Sequence, residues 1–142
     1  MRIEPVNYLT HAAEIQAIRH VIFSIEQGVD PVLEFDGQDE RAQHFLAYWQ
    51  NQPVGTLRIR QVSEHQAKIE RLAVRVEFRG RGIGKKLMQV ALSSLADGNL
   101  QDVAIHAQMQ VKAFYAQLGF EPIGAPFEEA NIPHIKMIKR LK

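Results

Sequence analysis

The densest chemistry in the chain lies at residues 70–86, E-R-L-A-V-R-V-E-F-R-G-R-G-I-G-K-K. Gly80, Gly82 and Gly84 let the backbone approach a ligand closely, and Ile83, Leu87, Val90, Ala91 and Leu95 form a helical stripe directly after them. The first amides of a helix lack intrahelical partners, and phosphate oxygens can take their place. Arg79, Arg81, Lys85 and Lys86 place four cations within eight residues, in a chain whose 17 basic and 16 acidic residues sum to only +1. The pattern predicts an anion-binding turn between a strand and a helix. A P-loop would require Ser or Thr after the lysine, and a dinucleotide fingerprint would space its glycines G-x-G-x-x-G near the first strand; neither fits.

The elements that must position this turn follow from periodicity. Residues 2–6 read as a strand. Ala13, Ile15, Ala17, Ile18, Val21, Ile22 and Ile25 give an amphipathic helix with Thr10 as its cap. Gly28 to Arg41 reads as an exposed loop whose acids Glu34, Asp36 and Asp39 suit either simple solvation or attraction of a cationic amine. Residues 43–50 and 53–62 form a hairpin about Asn51-Gln52, and 67–74 continues the meander. The helix after the glycines ends near Gly98. A strand at 102–107, a helix from Val111 to Leu118 stopped by Gly119, and a last strand around His134 to Ile138 complete the chain. The class is α/β or α+β with a mixed sheet.

Composition narrows the setting. With 142 residues and 46% hydrophobic content, the expectation is a single domain over 1–142. The absence of cysteine removes thiol nucleophiles and thiolate metal sites and points to a cytoplasmic location. No run is apolar enough for a membrane span, and near-neutral charge argues against nucleic acid or a membrane surface as partner. No histidine or acid spacing suggests a metal site.

Arg79-Gly80-Arg81-Gly82-Ile83-Gly84, placed after the strand I-E-R-L-A-V, resembles the R/Q-x-x-G-x-G/A signature of the GNAT acetyltransferase superfamily. The block A-F-Y-A-Q-L-G-F at 113–120 resembles that family's second helix-turn, with Gln117 in place of its lysine and Gln110 where many members carry Asn. The run E-Q-G-V-D-P-V-L-E-F-D-G-Q-D at 26–39, with His44, resembles the small bacterial YjcF/ElaA-like branch.

The resemblance implies a mostly antiparallel sheet flanked by helices, with two splayed parallel strands holding acetyl-CoA. It implies that Leu72, Ala73 and Val74 line the pantetheine, that Arg79, Gly80, Arg81, Gly82, Ile83, Gly84 and Lys85 hold the pyrophosphate, and that Gln110 touches CoA. It casts Tyr115 as general acid toward the thiolate. Glu70 stands as general base or as a carboxylate paired with Lys68 or Arg71, and His106 and His134 are alternative bases. If Glu70 follows simple strand alternation it shares a face with Leu72 and Val74; a bulge would re-aim it. The expected acceptor is a small-molecule or peptide amine, and a homodimer through a sheet edge or the last strand is the expected assembly. A silent acyl-CoA sensor is the rival.

Overall fold

The computed structural model describes residues 1–141. Its strands β1 (Arg2–Val6), β2 (Gln43–Trp49), β3 (Gln52–Gln61), β4 (Gln66–Val74), β5 (Asp102–Gln108), β6 (Glu121–Glu129) and β7 (Ile132–Arg140) form one sheet in the order β1-β2-β3-β4-β5-β7-β6. Every neighbouring pair is antiparallel except β4 with β5. That parallel pair ends early, at Lys68 opposite Ala104, although β4 runs on to Val74 and β5 to Gln108. The strands part beyond that point, as the expected splay requires.

Helices α1 (Tyr8–Arg19) and α2 (Pro31–Glu34) are joined by a π-helical segment, His20–Glu26, while α3 (Ile83–Leu95) and α4 (Lys112–Ala116) follow the strand pair. One core gathers Leu57, Ile59, Ala67, Ile69, Val103, Ile105 and Met137 beneath Ile83, Leu87, Met88 and Ala91 of α3. A second core gathers Leu46, Tyr48 and Ala73 beneath Ile15, Ile18 and Ile22. The sheet therefore separates an α3 face from an α1 face. Gly55 makes the first packing possible: a Cβ there would lie 3.1 Å from Leu87 and 3.2 Å from the Ala73 carbonyl.

Three expectations change. The cap of α1 is Asn7, whose side chain accepts from the Thr10 amide at 3.3 Å; Thr10 itself lies inside the helix. The wider π turn after Arg19 swings Val21 and Ile25 outward, so Ile25 is 67% exposed where an uninterrupted helix would have buried it. The last strand is one arm of a β6–β7 hairpin, which makes β7 interior and leaves β1 and β6 as the edges.

Candidate active site

Where β4 and β5 part, a cleft of about 880 Å³ opens, reaching from the glycine turn to the β6–β7 end. Its geometry begins with a bulge in β4. Arg58 pairs with Glu70 and Thr56 with Ala73, so Arg71 and Leu72 together oppose Leu57. Arg71 absorbs the extra residue with φ at +59°. Side-chain parity consequently reverses: Leu72 and Val74 join the α3 core, whereas Ala73 packs beneath α1. Glu70, which precedes the bulge, stands with Arg58, Arg60 and Lys68 on the face opposite Ile69 and the α3 core. It does not share the side of Leu72 and Val74. Arg60, Lys68, Glu70, Leu72, Ala73 and Val74 all line the cleft, whereas Arg58 lies behind it.

At one end of the cleft, Gly80 (φ +77°) and Gly82 (φ +78°) bend the chain into α3, whose N-cap is Gly82. That cap supplies no side-chain bond, and the first backbone bond into the turn is Lys86 N–H to the Gly82 carbonyl. The amides of Gly82 to Lys85 are thus free of intrahelical partners, at the positive end of a 13-residue helix. Gly80, Gly82, Ile83, Gly84 and Lys85 line the cleft here. Arg79 does too, with its Nη1 and Nη2 on Glu26 at 2.8 and 2.9 Å and its Nε on the Val74 carbonyl. Arg81 is different: its guanidinium stacks over Trp49 and Phe78, 4.9 and 5.4 Å from the ring centroids, and it lies outside the cleft lining.

The wall between the two ends carries Tyr115, held edge-on between Phe114 and Phe120, with centroids 5.0 and 6.1 Å away. Burial pushes its phenol up to about 12, so it stays protonated at neutral pH, the state a general acid needs. Gln110 also lines the cleft and donates to Gln108, which donates in turn to Gln27 at 2.9 Å. The Gln108–Gln27 bond ties β5 to the end of the π segment.

The loop acids do not form a free anionic site. Glu34 is 2% exposed, with Oε1 2.6 Å from Arg19 Nε, and Asp39 is 6% exposed, 2.5 Å from Arg19 Nη1 and 3.0 Å from Arg58 Nη1. Asp36 takes a two-pronged contact from Arg58 at 2.9 and 2.8 Å and a further one from Arg71. Burial raises Asp36 and Asp39, but these guanidinium groups outweigh it and hold both carboxyls below the usual range. Asp39 lies outside the cleft lining, while Glu34 and Asp36 reach it with their charge already committed to arginines. What reads as an exposed acidic loop is a roof latched to the sheet by buried ion pairs.

Glu70 belongs to the same network. Its carboxylate meets Arg60, Arg58 at 3.1 Å and Lys68 at 3.3 Å, with 7% of the side chain exposed. Burial raises it, yet the Arg60 hydrogen bond and the charges of Arg58 and Lys68 bring it down to about 2. A carboxylate so paired and stabilised is a poor proton acceptor.

At the far end, His106 of β5 and His134 of β7 both line the cleft beside Glu129 of β6. His106 Nδ1 lies 2.9 Å from Glu129 Oε1, and His134 Nε2 lies 3.8 Å from Oε2. Nothing in the chain's periodicity marked Glu129, because its strand is an edge rich in Pro, Gly and acid rather than an alternating one.

A sheet opened by splayed parallel strands, with a helix N-terminus that has no side-chain cap at one end of the gap and a half-buried phenol on its wall, defines an acyltransferase. The chain belongs to the GNAT acetyltransferase family, whose model, described as an acetyltransferase (GNAT) domain, matches residues 23–141. YyaT of Bacillus subtilis is 35% identical over 144 residues, covering 99% of this chain and 97% of that protein. The N-acetyltransferase YjcF of the same organism is 31% identical, with 86% of this chain and 87% of the relative covered. Among solved structures, Escherichia coli ElaA superposes with a TM-score of 0.88 at 25% identity, over 98% of this chain and 99% of that one. An acyl-CoA N-acyltransferase from Pseudomonas aeruginosa gives 0.86 at 26%, with the same coverage.

Proposed function

We propose that the chain transfers an acetyl group from acetyl-CoA to a primary amine by direct attack in a ternary complex, in the cytoplasm. The observation that carries this reading is the Gly82-capped start of α3, whose unpaired amides face the cleft where β4 and β5 diverge. The CoA pyrophosphate takes those amides, with Lys85 beside them, and the pantetheine lies along the unpaired edge of residues 69–74. Its thioester then reaches the acceptor side through the gap.

Chemistry follows from the side chains in place. A chain with no cysteine has no thiol to carry the acyl group, which favours direct transfer. The free amine attacks the thioester carbonyl, the C–N bond forms, and collapse breaks the C–S bond. Tyr115 supplies a proton to the departing sulfur. A homodimer belongs to the same proposal; since β7 is interior, a strand-edge contact would have to use β1 or β6.

Thermal stabilisation by acetyl-CoA and CoA, compared with ATP, tests the donor site; no shift with either CoA species overturns it. Thiol release over a panel of amines tests turnover, with Tyr115→Phe expected to lower kcat about 100-fold. Binding of CoA without thiol release from any amine would instead make the chain a sensor.

A further inference from the structure

Amine acetylation needs a proton acceptor on the amine's side of the sheet, and Glu70 is unsuited to it. Resting on the reading above, we propose that His106 is the general base and that Glu129 positions it, taking the Nδ1 proton so that Nε2 presents its lone pair to the acceptor ammonium.

His106 sits just past the end of the parallel ladder, where β5 has left β4. The alternating neighbours Ile105 and Ala107 are in the α3 core, which puts His106 on the opposite face, with Lys68 and under the α1–α2 roof. That is the face from which an amine must approach, since the α3 side of the gap is taken by CoA.

Two groups compete for Nδ1. Glu129 Oε1 is 2.9 Å away and can only accept; Lys68 Nζ is 3.3 Å away and can only donate. The carboxylate contact is shorter and ion-assisted, and Lys68 is already paired with Glu70 Oε2 at 3.3 Å. Nδ1 therefore carries the hydrogen and Nε2 the lone pair. No residue among those described hydrogen-bonds to that Nε2. His134 is placed otherwise: its Nδ1 donates to the Ile132 carbonyl at 2.6 Å and its Nε2 turns toward Glu129. Phe127 fixes both rings, edge-on to His106 at 5.0 Å and stacked on His134 at 6.0 Å. The hydrogen bond from His106 also holds Glu129 below the usual carboxyl range, against its partial burial.

In the step itself, the acceptor R–NH3⁺ gives one proton to His106 Nε2, and Glu129 stabilises the imidazolium. The amine lone pair forms the C–N bond, and the C–S electron pair leaves with sulfur, which takes the Tyr115 proton. The nitrogen's second proton passes to solvent, as does the imidazolium proton, and Tyr115 regains one from solvent. The sum is amide, CoA thiol and one released proton.

The charged and titratable groups facing His106 are Lys68 of β4, Glu129 of β6, and His134 and Lys136 of β7. Of these, only Glu129 contacts Nδ1 as an anion. Two measurements follow, on the full chain. Long-range proton–nitrogen NMR should show neutral His106 with its hydrogen on Nδ1, and a larger share of the Nε2–H tautomer in Glu129→Gln. The plateau of kcat/KM should fall roughly 10- to 100-fold in Glu129→Gln; His106→Asn should lower it about 100-fold or more and remove the acid limb of its pH profile. Glu129 has 44% of its side chain exposed, so its variants keep the fold. A hydrogen on Nε2 in the parent, or an unchanged tautomer in Glu129→Gln, overturns the pair. A limb that survives in His106→Asn overturns the base. If the parent transfers acyl to no amine, the proposed function and the base role fall together, while the NMR result still decides the pair.

Discussion

Glu70 shows how one side chain can carry a family's chemistry in sequence and a different role in the fold. Its position beside the thioester gap was legible, but its direction was not, because it depends on a bulge made by Arg71, a non-glycine residue at positive φ that leaves no mark in the sequence. With three cations around it, its value lies in pairing them. Its folded pKa is depressed from 4.5 to about 2, so its contribution is complete above 4.5 and is lost as pH falls from there to about 2. We expect Glu70→Gln to cost on the order of 3 kcal/mol at neutral pH, since it leaves buried Arg58 short of a partner. Urea unfolding across an acid series checks this: the gap between variant and parent should narrow through that window. A variant as stable as the parent at pH 7 would show that the cluster does not need the charge.

At the level of elements, legibility tracked burial. The strands with one face in a core and the helix α3 were readable because a single apolar stripe recurs at the proper period. β6 was not, since Pro122, Gly124, Pro126 and its acids serve an exposed edge, where guarding against stray pairing outweighs packing. The π segment was equally silent, because its residues have ordinary helical character and only the geometry after Arg19 reveals the wider turn. Gly55 lies between these cases: it reads as a glycine inside a strand, and the structure supplies the reason. Its missing Cβ admits Leu87 and Ile83 of α3 onto β3, and α3 carries the amides proposed to bind phosphate. Gly55→Ala should therefore destabilise by roughly 1–3 kcal/mol and weaken acetyl-CoA binding by tilting α3. Thermal unfolding and calorimetric titration would measure both; loss of stability with unchanged affinity would separate the helix's packing from its ligand role.

Across the whole molecule, the sheet divides the labour between its two faces. Donor binding is proposed to draw on the α3 side and on backbone, which explains why its motif was legible: glycines and a helix start are local features. The proposed acceptor side is roofed by Arg19, Glu34, Asp36, Asp39, Arg58, Glu70 and Arg71, residues from five separate elements and a loop whose meeting no local pattern announces. Arg58 is the hub, fully buried and shared among Asp36, Asp39 and Glu70. Burial opposes its charge, yet those carboxylates hold it firmly protonated. Arg58→Lys keeps the charge but loses the planar fork that reaches three carboxylates at once. The expected result is a loss of about 2–3 kcal/mol of stability and a raised KM for the amine, because the roof over 31–41 loosens. Arg58 does not line the cleft, and its neighbours Leu57 and Ile59 face the α3 core while its own side chain faces away, so the affinity for acetyl-CoA should stay within about twofold of the parent, well under 1 kcal/mol. Equal losses in amine KM and acetyl-CoA affinity would mean that the two faces do not act separately, and that the roof serves the donor as much as the acceptor.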